Sequence, residues 1–295
     1  MVDKKNILVT GSDGQLGKSI KRISNQYDNY NFIFTNKDQL NISEFSLINK
    51  IINENSIKIV INCAAYTNVE EAENNKELAD LINHVSVDNL ANICSEKNIQ
   101  LVHISTDFVF DGMKKSPYNE NDIPNPINYY GLSKLNGENK MMSYNLNKSI
   151  VIRTSWLYSD SENNFVSKIL KKINNYENIN VVNDEIGSPT NVVDLAELIL
   201  CVIPMLKNDK TEIYHFSNSG FCSRYNFSNE INKIVNGKSY IISENILKSK
   251  TIRPKYSVLD STKIINEFDI KIKNWKKSLS DHLSSTKNKL FTYEI

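Results

Sequence analysis

Few folds accept a chain that leaves a short apolar run, crosses three glycines spaced three apart, and enters a helical pattern at once. Residues Asn6 to Thr10 (NILVT) are strand-like, Gly11, Gly14 and Gly17 follow, and Ile20 and Ile23 then recur at helical spacing. This strand–turn–helix order is how a dinucleotide-binding βαβ unit begins. Gly11 permits the tight turn, Gly14 lets backbone approach a pyrophosphate, and Gly17 lets the helix lie close to the sheet. Free N–H groups at the helix start then face the phosphates. The spacing is Gly-x-x-Gly-x-x-Gly, not the Gly-x-Gly-x-x-Gly fingerprint, and a flexible turn is the alternative reading.

The rest of the first half alternates in the same way. Strand patterns at 31–35, 57–62, 99–105 and 149–154 are separated by helical patterns at 43–54, at 76–97 and from Tyr130 onward. Such alternation predicts an α/β fold with a doubly wound, parallel, Rossmann-type sheet and right-handed crossovers. Ligands of these sheets sit at the carboxyl ends of the strands. Gly11, Asn36, Cys63, Thr106 and Thr154 all fall there. After the second strand a dinucleotide fold normally carries an acid for the adenosine ribose. Here the residues are Asn36 and Lys37, which favours NADP(H), with a plain polar turn as the alternative for Lys37. The small residues Cys63, Ala64 and Ala65 leave room for a dinucleotide across the strand ends, or for ordinary close packing.

Beyond Thr154 the pattern changes to a polar, aromatic loop. Helices are expected at 165–174, 223–235 and 275–287, with a helix also after the loop at 187–190. Short strands are expected near 179–182 and 213–218, and the final residues are expected to fray. Residues 1–155 read as the dinucleotide-binding domain, with returning elements near 190–217. Residues 156–295 read mainly as a smaller, interleaved substrate-binding portion.

Between Thr106 and Lys134 lies a group suited to ketone reduction. Tyr130 and Lys134 are one helical turn apart and share a face. A lysine beside a tyrosine favours the phenolate and lowers the phenol's pKa, which makes Tyr130 a proton donor near neutral pH. The Thr106 hydroxyl adds a second group for the same carbonyl oxygen.

Composition excludes other classes. The chain has 295 residues, 40% apolar and 23% charged, with a net charge of +1. That balance gives no pull toward nucleic acid or an anionic membrane surface. No apolar run approaches the ~20 residues of a membrane span. The opening MVDKKNILVTG lacks a signal-peptide core, so a cytoplasmic protein is expected. Cys63, Cys94, Cys201 and Cys222 form no Cys-x-x-Cys pair and are expected to be buried reduced thiols. His84, His103, His215 and His282 have no metal-ligand spacing.

Several longer stretches stand in a recognisable order. They are TGSDGQLG (10–17), NCAAYTNVEEAE (62–73), STDFVFDG (105–112), YGLSK (130–134), RTSWLY (153–158), GSPT (187–190), RPKYSVLD (253–260) and a late Trp275. In these the chain resembles the extended short-chain dehydrogenase/reductases, and among them the dTDP-4-dehydrorhamnose reductase family. The resemblance implies NAD(P)H-dependent reduction of the 4-keto group of dTDP-4-dehydro-L-rhamnose, a step toward cell-surface polysaccharide. By motif, Tyr130 is the proton donor, Lys134 its partner and ribose ligand, and Thr106 the family's hydroxyl residue. Gly11, Gly14, Gln15, Leu16, Gly17, Asn41, Ile42, Ala65, Tyr66 and Thr67 fall where the family holds NADPH, or NADH in its place. Asp107 and Trp156 match sugar contacts, and Arg253 suits the nucleotide diphosphate. An aromatic core residue is the rival reading for Trp156, and a solvated charge the rival for Arg253.

Three departures stand out. Phe108 replaces a common tyrosine, and Asn41 a common acid. Some members bridge subunits through magnesium held by glutamates, one of them near Lys18 to Ile20, where this chain has no acid. No metal is therefore expected, and the chain is expected to be a monomer or a homodimer. Two other functions share these motifs. Nucleotide-sugar dehydratases carry Thr-Asp-Glu where this chain has Thr106, Asp107 and Phe108. A regulatory subunit, like the beta subunit of methionine adenosyltransferase, shares the motifs without reductase work.

Overall fold

The computed structural model describes residues 4–244 and 251–290, the last five as backbone. Strands β1 (Lys5–Thr10), β2 (Tyr30–Thr35), β3 (Ile59–Asn62), β4 (Gln100–Thr106), β5 (Ile150–Thr154) and β10 (Glu212–His215) form one sheet. Its order is β10-β5-β4-β3-β1-β2 and every pairing is parallel. The alternation along each strand explains its two faces. In β1, Ile7 and Val9 join a core with α1 (Gln15–Ile23), α8 (Val192–Val202) and α10 (Thr262–Phe268), while Leu8 joins the opposite core. That second core is closed by α2 (Phe45–Glu54), α5 (Ser86–Glu96) and Met141 of α6 (Tyr129–Ser143).

The chain order leaves β1 between β2 and β3, so the direction of winding reverses beside β1. This is the crevice where ligands of doubly wound sheets bind. The strand ends are polar and aligned: Thr10 pairs with both Thr35 and Asn62, Asn62 with His103, and Thr106 with Thr154.

A third core lies outside the sheet. Tyr158 of β6 (Leu157–Tyr158), α7 (Phe165–Asn174), β7 (Ile179–Val182), α9 (Arg224–Ile234) and α11 (Trp275–Leu290) build it around Phe227 and Trp275. Three two-stranded ribbons frame it. These pair β6 with β9 (Thr190–Asn191), β8 (Ile186–Gly187) with β11 (Cys222–Ser223), and β7 with β12 (Ile241–Glu244).

The helix expected over 76–97 runs unbroken from Lys76 to Glu96, with a π-helical turn inside it. After α3 (Val69–Asn74) come α4 (Lys76–Asp80), a π-helical turn at Leu81–Val85, and then α5. Cys94 and Cys222 are buried free thiols, but Cys63 is partly exposed and Cys201 exposed. Cys201 sits on the outer side of α8, where an apolar neighbourhood in sequence does not mean burial. The expected fraying falls on residues 291–295, outside the described residues. No described helix is long and apolar enough to cross a membrane.

Candidate active site

The glycine turn is required by its geometry. Gly11 has φ +62°, and a Cβ there would lie 2.8 Å from the backbone of Ala64. The turn after β1 and the turn after β3 therefore touch, which only glycine allows. A Cβ at Gly17 would meet Gly11 O and Ser12 Cα at 2.5 Å. The close approach at Gly17 is thus to the turn itself and not, as expected, to the sheet. Gly11, Gly14, Asn36, Lys37, Asn41, Ile42 and Ala65 line one cavity of about 280 Å³. Lys37 makes no ion pair there among the described residues, whereas Asn36 is tied into its turn by reciprocal bonds with Gln39. Gln15 and Leu16 do not line this cavity. Gln15 accepts from Ser159 Oγ at 2.7 Å on another face, and Leu16 is buried in the core. Tyr66 is held by its backbone, and Thr67 is exposed.

Helix α6 begins where Asn128 caps it, accepting from Gly131 N at 2.9 Å. Tyr130 and Lys134 follow on one face. The Lys134 amine is directed inward, 3.2 Å from His103 Nε2 and donating to Ile104 O at 2.7 Å. The expected acidification of Tyr130 by Lys134 is not what the structure holds. Burial pushes the phenol up to about 12, with the Thr106 hydroxyl pulling it partly back. Burial also brings Lys134 down to about 8, against the pull of Glu138. In a low-dielectric site, desolvation outweighs a neighbour whose hydrogen bonds go elsewhere. Tyr130 is accordingly a firm phenol, a donor and not a phenolate. The Phe108 ring packs edge-on to it, centroids 5.8 Å apart.

Thr106 ends β4. Its hydroxyl donates to Asp107 Oδ1 at 3.2 Å and accepts from Phe108 N at 3.2 Å. Asp107 is 3% exposed, and its Oδ2 is buried with no hydrogen-bond partner among the described residues. Burial raises its carboxyl to about 6, while the hydroxyls of Ser257 and Thr106 and then the Arg224 charge oppose the shift. Trp156 takes a left-handed conformation, φ +46°, unusual for a bulky residue and typical of functional sites. The Arg224 guanidinium stacks 3.5 Å above its ring. Arg224 is itself brought down to about 10, first by burial and partly by the nearby Arg253 charge. Arg253 is partly buried, with Nη2 3.3 Å from Glu70 Oε1 and Nε without a described partner. It is not a free solvated charge.

Three residues escaped the sequence reading. Asn83, in the π turn, accepts from Tyr66 N and donates to Tyr66 O and Ser133 Oγ at 2.9–3.0 Å. It ties the loop after β3 to α6, and π turns recur at functional sites. His103 meets Lys134 from a strand whose apolar pattern hid it. Arg224 sits at a helix start beside no recognised motif, and only the fold brings it to Trp156. No group of His, Cys, Asp and Glu placed to hold a metal occurs among the described residues.

The sequence signature of the RmlD substrate binding domain matches residues 5–288. The chain belongs to this family. It is 37% identical to the spore coat polysaccharide biosynthesis protein SpsK of Bacillus subtilis, over 94% of this chain and 96% of that one. It is 32% identical to dTDP-4-dehydrorhamnose reductase of Aggregatibacter actinomycetemcomitans, over 93% and 97% of the two chains. Among solved structures it resembles dTDP-4-dehydrorhamnose reductase of Bacillus anthracis in complex with NADP. That similarity has a TM-score of 0.90 and 35% identity, covering 96% of this chain and all of the other. Thr106 and Asp107 at the carboxyl end of β4 stand beside Tyr130 and Lys134 at the start of α6.

Proposed function

We propose that this protein reduces the 4-keto group of dTDP-4-dehydro-L-rhamnose to give dTDP-L-rhamnose, using NADPH, with NADH as a possible substitute. The observation that carries the reading is the meeting of a firm phenol at Tyr130 with the Thr106 hydroxyl and Asp107, on the same strand-end surface as the Gly11 cavity. Gly11, Gly14, Asn41, Ile42 and Ala65 hold the dinucleotide, with Gly17 closing the turn behind them, and Asn36 and Lys37 accept a ribose phosphate. Bound NADPH supplies the hydride. Tyr130 gives its proton to the carbonyl oxygen, Thr106 holds that oxygen, and Lys134 orients the cofactor ribose. Asp107 and Trp156 contact the sugar, Arg224 braces Trp156 from above, and Arg253 holds the diphosphate. Residues 1–155 form the dinucleotide-binding portion and 156–295 mainly the substrate portion. The protein works in the cytoplasm as a monomer or homodimer without a metal. Elimination chemistry is not favoured, because the side chain where dehydratases carry their acid is Phe108, packed on Tyr130. The test is incubation with dTDP-4-dehydro-L-rhamnose and NADPH, with the product identified by NMR. Stoichiometric NADPH oxidation and a reduced C4 are expected; no consumption of either reactant would sink the reading.

A further inference from the structure

His103 lies on β4 with none of its surface exposed, and both its ring nitrogens face polar atoms. Asn62 Nδ2 is 3.1 Å from Nδ1, and Lys134 Nζ is 3.2 Å from Nε2. Burial, then the Lys134 charge, hold the imidazole well below its ordinary value. It is neutral and carries one N–H.

The direction of the neighbouring bonds decides which nitrogen holds that proton. Ala64 N donates to Thr10 Oγ1 at 3.4 Å, and the Thr10 hydroxyl donates to Asn62 Oδ1 at 2.6 Å. Asn62 therefore faces His103 with its amide N–H, so Nδ1 accepts and the proton sits on Nε2. Its hydrogen is then aimed at Lys134 Nζ. An ammonium has no lone pair to receive it, whereas a free amine does and still donates to Ile104 O.

We propose that His103 is a positioning residue that sets the protonation of Lys134: as the last donor in the chain Ala64–Thr10–Asn62–His103, it favours the free amine. The inference rests on the roles given above to Tyr130 and Lys134. Other groups around Lys134 do not replace His103. On its own helix stand Tyr130, a phenol, and Glu138, which β5 binds through Arg153. From the end of β4 comes Asp107, and from the neighbouring helices Asp88 pairs with Lys140, and Asp80 with His84. The ammonium that holds a ribose hydroxyl thus forms toward lower pH, and His103 decides where.

The experiment follows NADPH affinity against pH in the whole enzyme. Wild type should lose affinity as pH rises through the Lys134 titration. In His103→Leu and His103→Met the donor is gone, so the midpoint should move up by about one pH unit, the scale of one hydrogen bond to a charged group. A purely structural role would lower affinity equally at every pH. An unmoved or lower midpoint overturns the proposal. A measurement on wild type alone covers the case in which neither variant folds. The ¹⁵N shifts of His103 should report protonated Nε2 and bare Nδ1, and the opposite tautomer overturns the proposal. Lys134→Met is the control. If it binds NADPH like wild type at every pH, the reading of Lys134 falls and the inference with it; if only the His103 variants leave the midpoint in place, the inference falls alone.

Discussion

Tyr130 and Asp107 are shifted by the same cause, with different consequences. With its phenol at about 12, Tyr130 stays protonated through the neutral range, as the proposed role of proton donor needs. Tyr130→Phe should cut turnover by ~10²-fold or more, the usual scale for a lost general acid, with NADPH affinity retained; near-normal turnover would remove Tyr130 from the mechanism. Asp107 is an acid raised to about 6 in the fold. Below the unfolded value of ~3.9 both states are protonated and nothing is lost. Between that value and 6 the unfolded chain ionises first, so stability falls as pH rises. Above 6 the full cost is present, on the order of 2–3 kcal/mol. Asp107→Asn should therefore be more stable than wild type at pH above 6 and equal to it at pH below 4, while losing activity through loss of the proposed sugar contact. Urea midpoints at both ends of that window check the sign, and a variant less stable at the alkaline end would refute it.

At the scale of elements, α6 is fastened to the sheet by a buried charge pair. Arg153 of β5 donates to both oxygens of Glu138, at 2.7–3.1 Å, and the side chains are 2% and 1% exposed. Ser105 of β4 donates to Glu138 as well, and Phe110 lies under the guanidinium. Glu138→Ala strands a buried cation and should cost about 3–5 kcal/mol by urea unfolding, whereas Glu138→Leu with Arg153→Met should cost much less. Equal costs for the two would show that the pair contributes no more than packing. None of this lay in the sequence pattern, because Ser105 and Arg153 occupy strand positions that read simply as burial. What the sequence did carry was local. Short, mostly apolar runs marked β1 through β5, the glycine triplet marked the turn, and Tyr130 to Lys134 marked one helical face. The two-residue strands β6, β8, β9 and β11 exist only through their partners, and α10, at seven residues, is too short to show a period. The His103–Lys134 contact spans 31 residues, so no local pattern reports it.

Across the whole molecule the two halves are interleaved, and that has a cost for any attempt to separate them. Residues 1–155 contain five of the six strands of the parallel sheet, but not its edge strand β10 nor the helices α8 and α10. Strand β10 pairs with β5 from Glu212↔Ile150 to His215↔Arg153, so its removal opens the backbone of β5. Helix α8 brings Val192, Leu195, Ala196 and Ile199 against Ile7, Val9, Val102 and Ile152, and α10 adds Ile264 and Phe268. Without these the α1 face of the sheet is an exposed apolar patch beside an unpaired edge, a combination that drives aggregation. The fragment 1–155 should therefore show helix and strand by far-UV circular dichroism, bind a hydrophobic dye, and lack a cooperative urea transition, while the full chain unfolds in one step. A fragment that unfolds cooperatively and binds NADPH would mean that the returning elements merely decorate an autonomous domain. A fragment without either property would make the dinucleotide site a product of the whole fold, since β1 and β3, whose turns meet at Gly11 and Ala64, hold their register only when the sheet is covered on both faces.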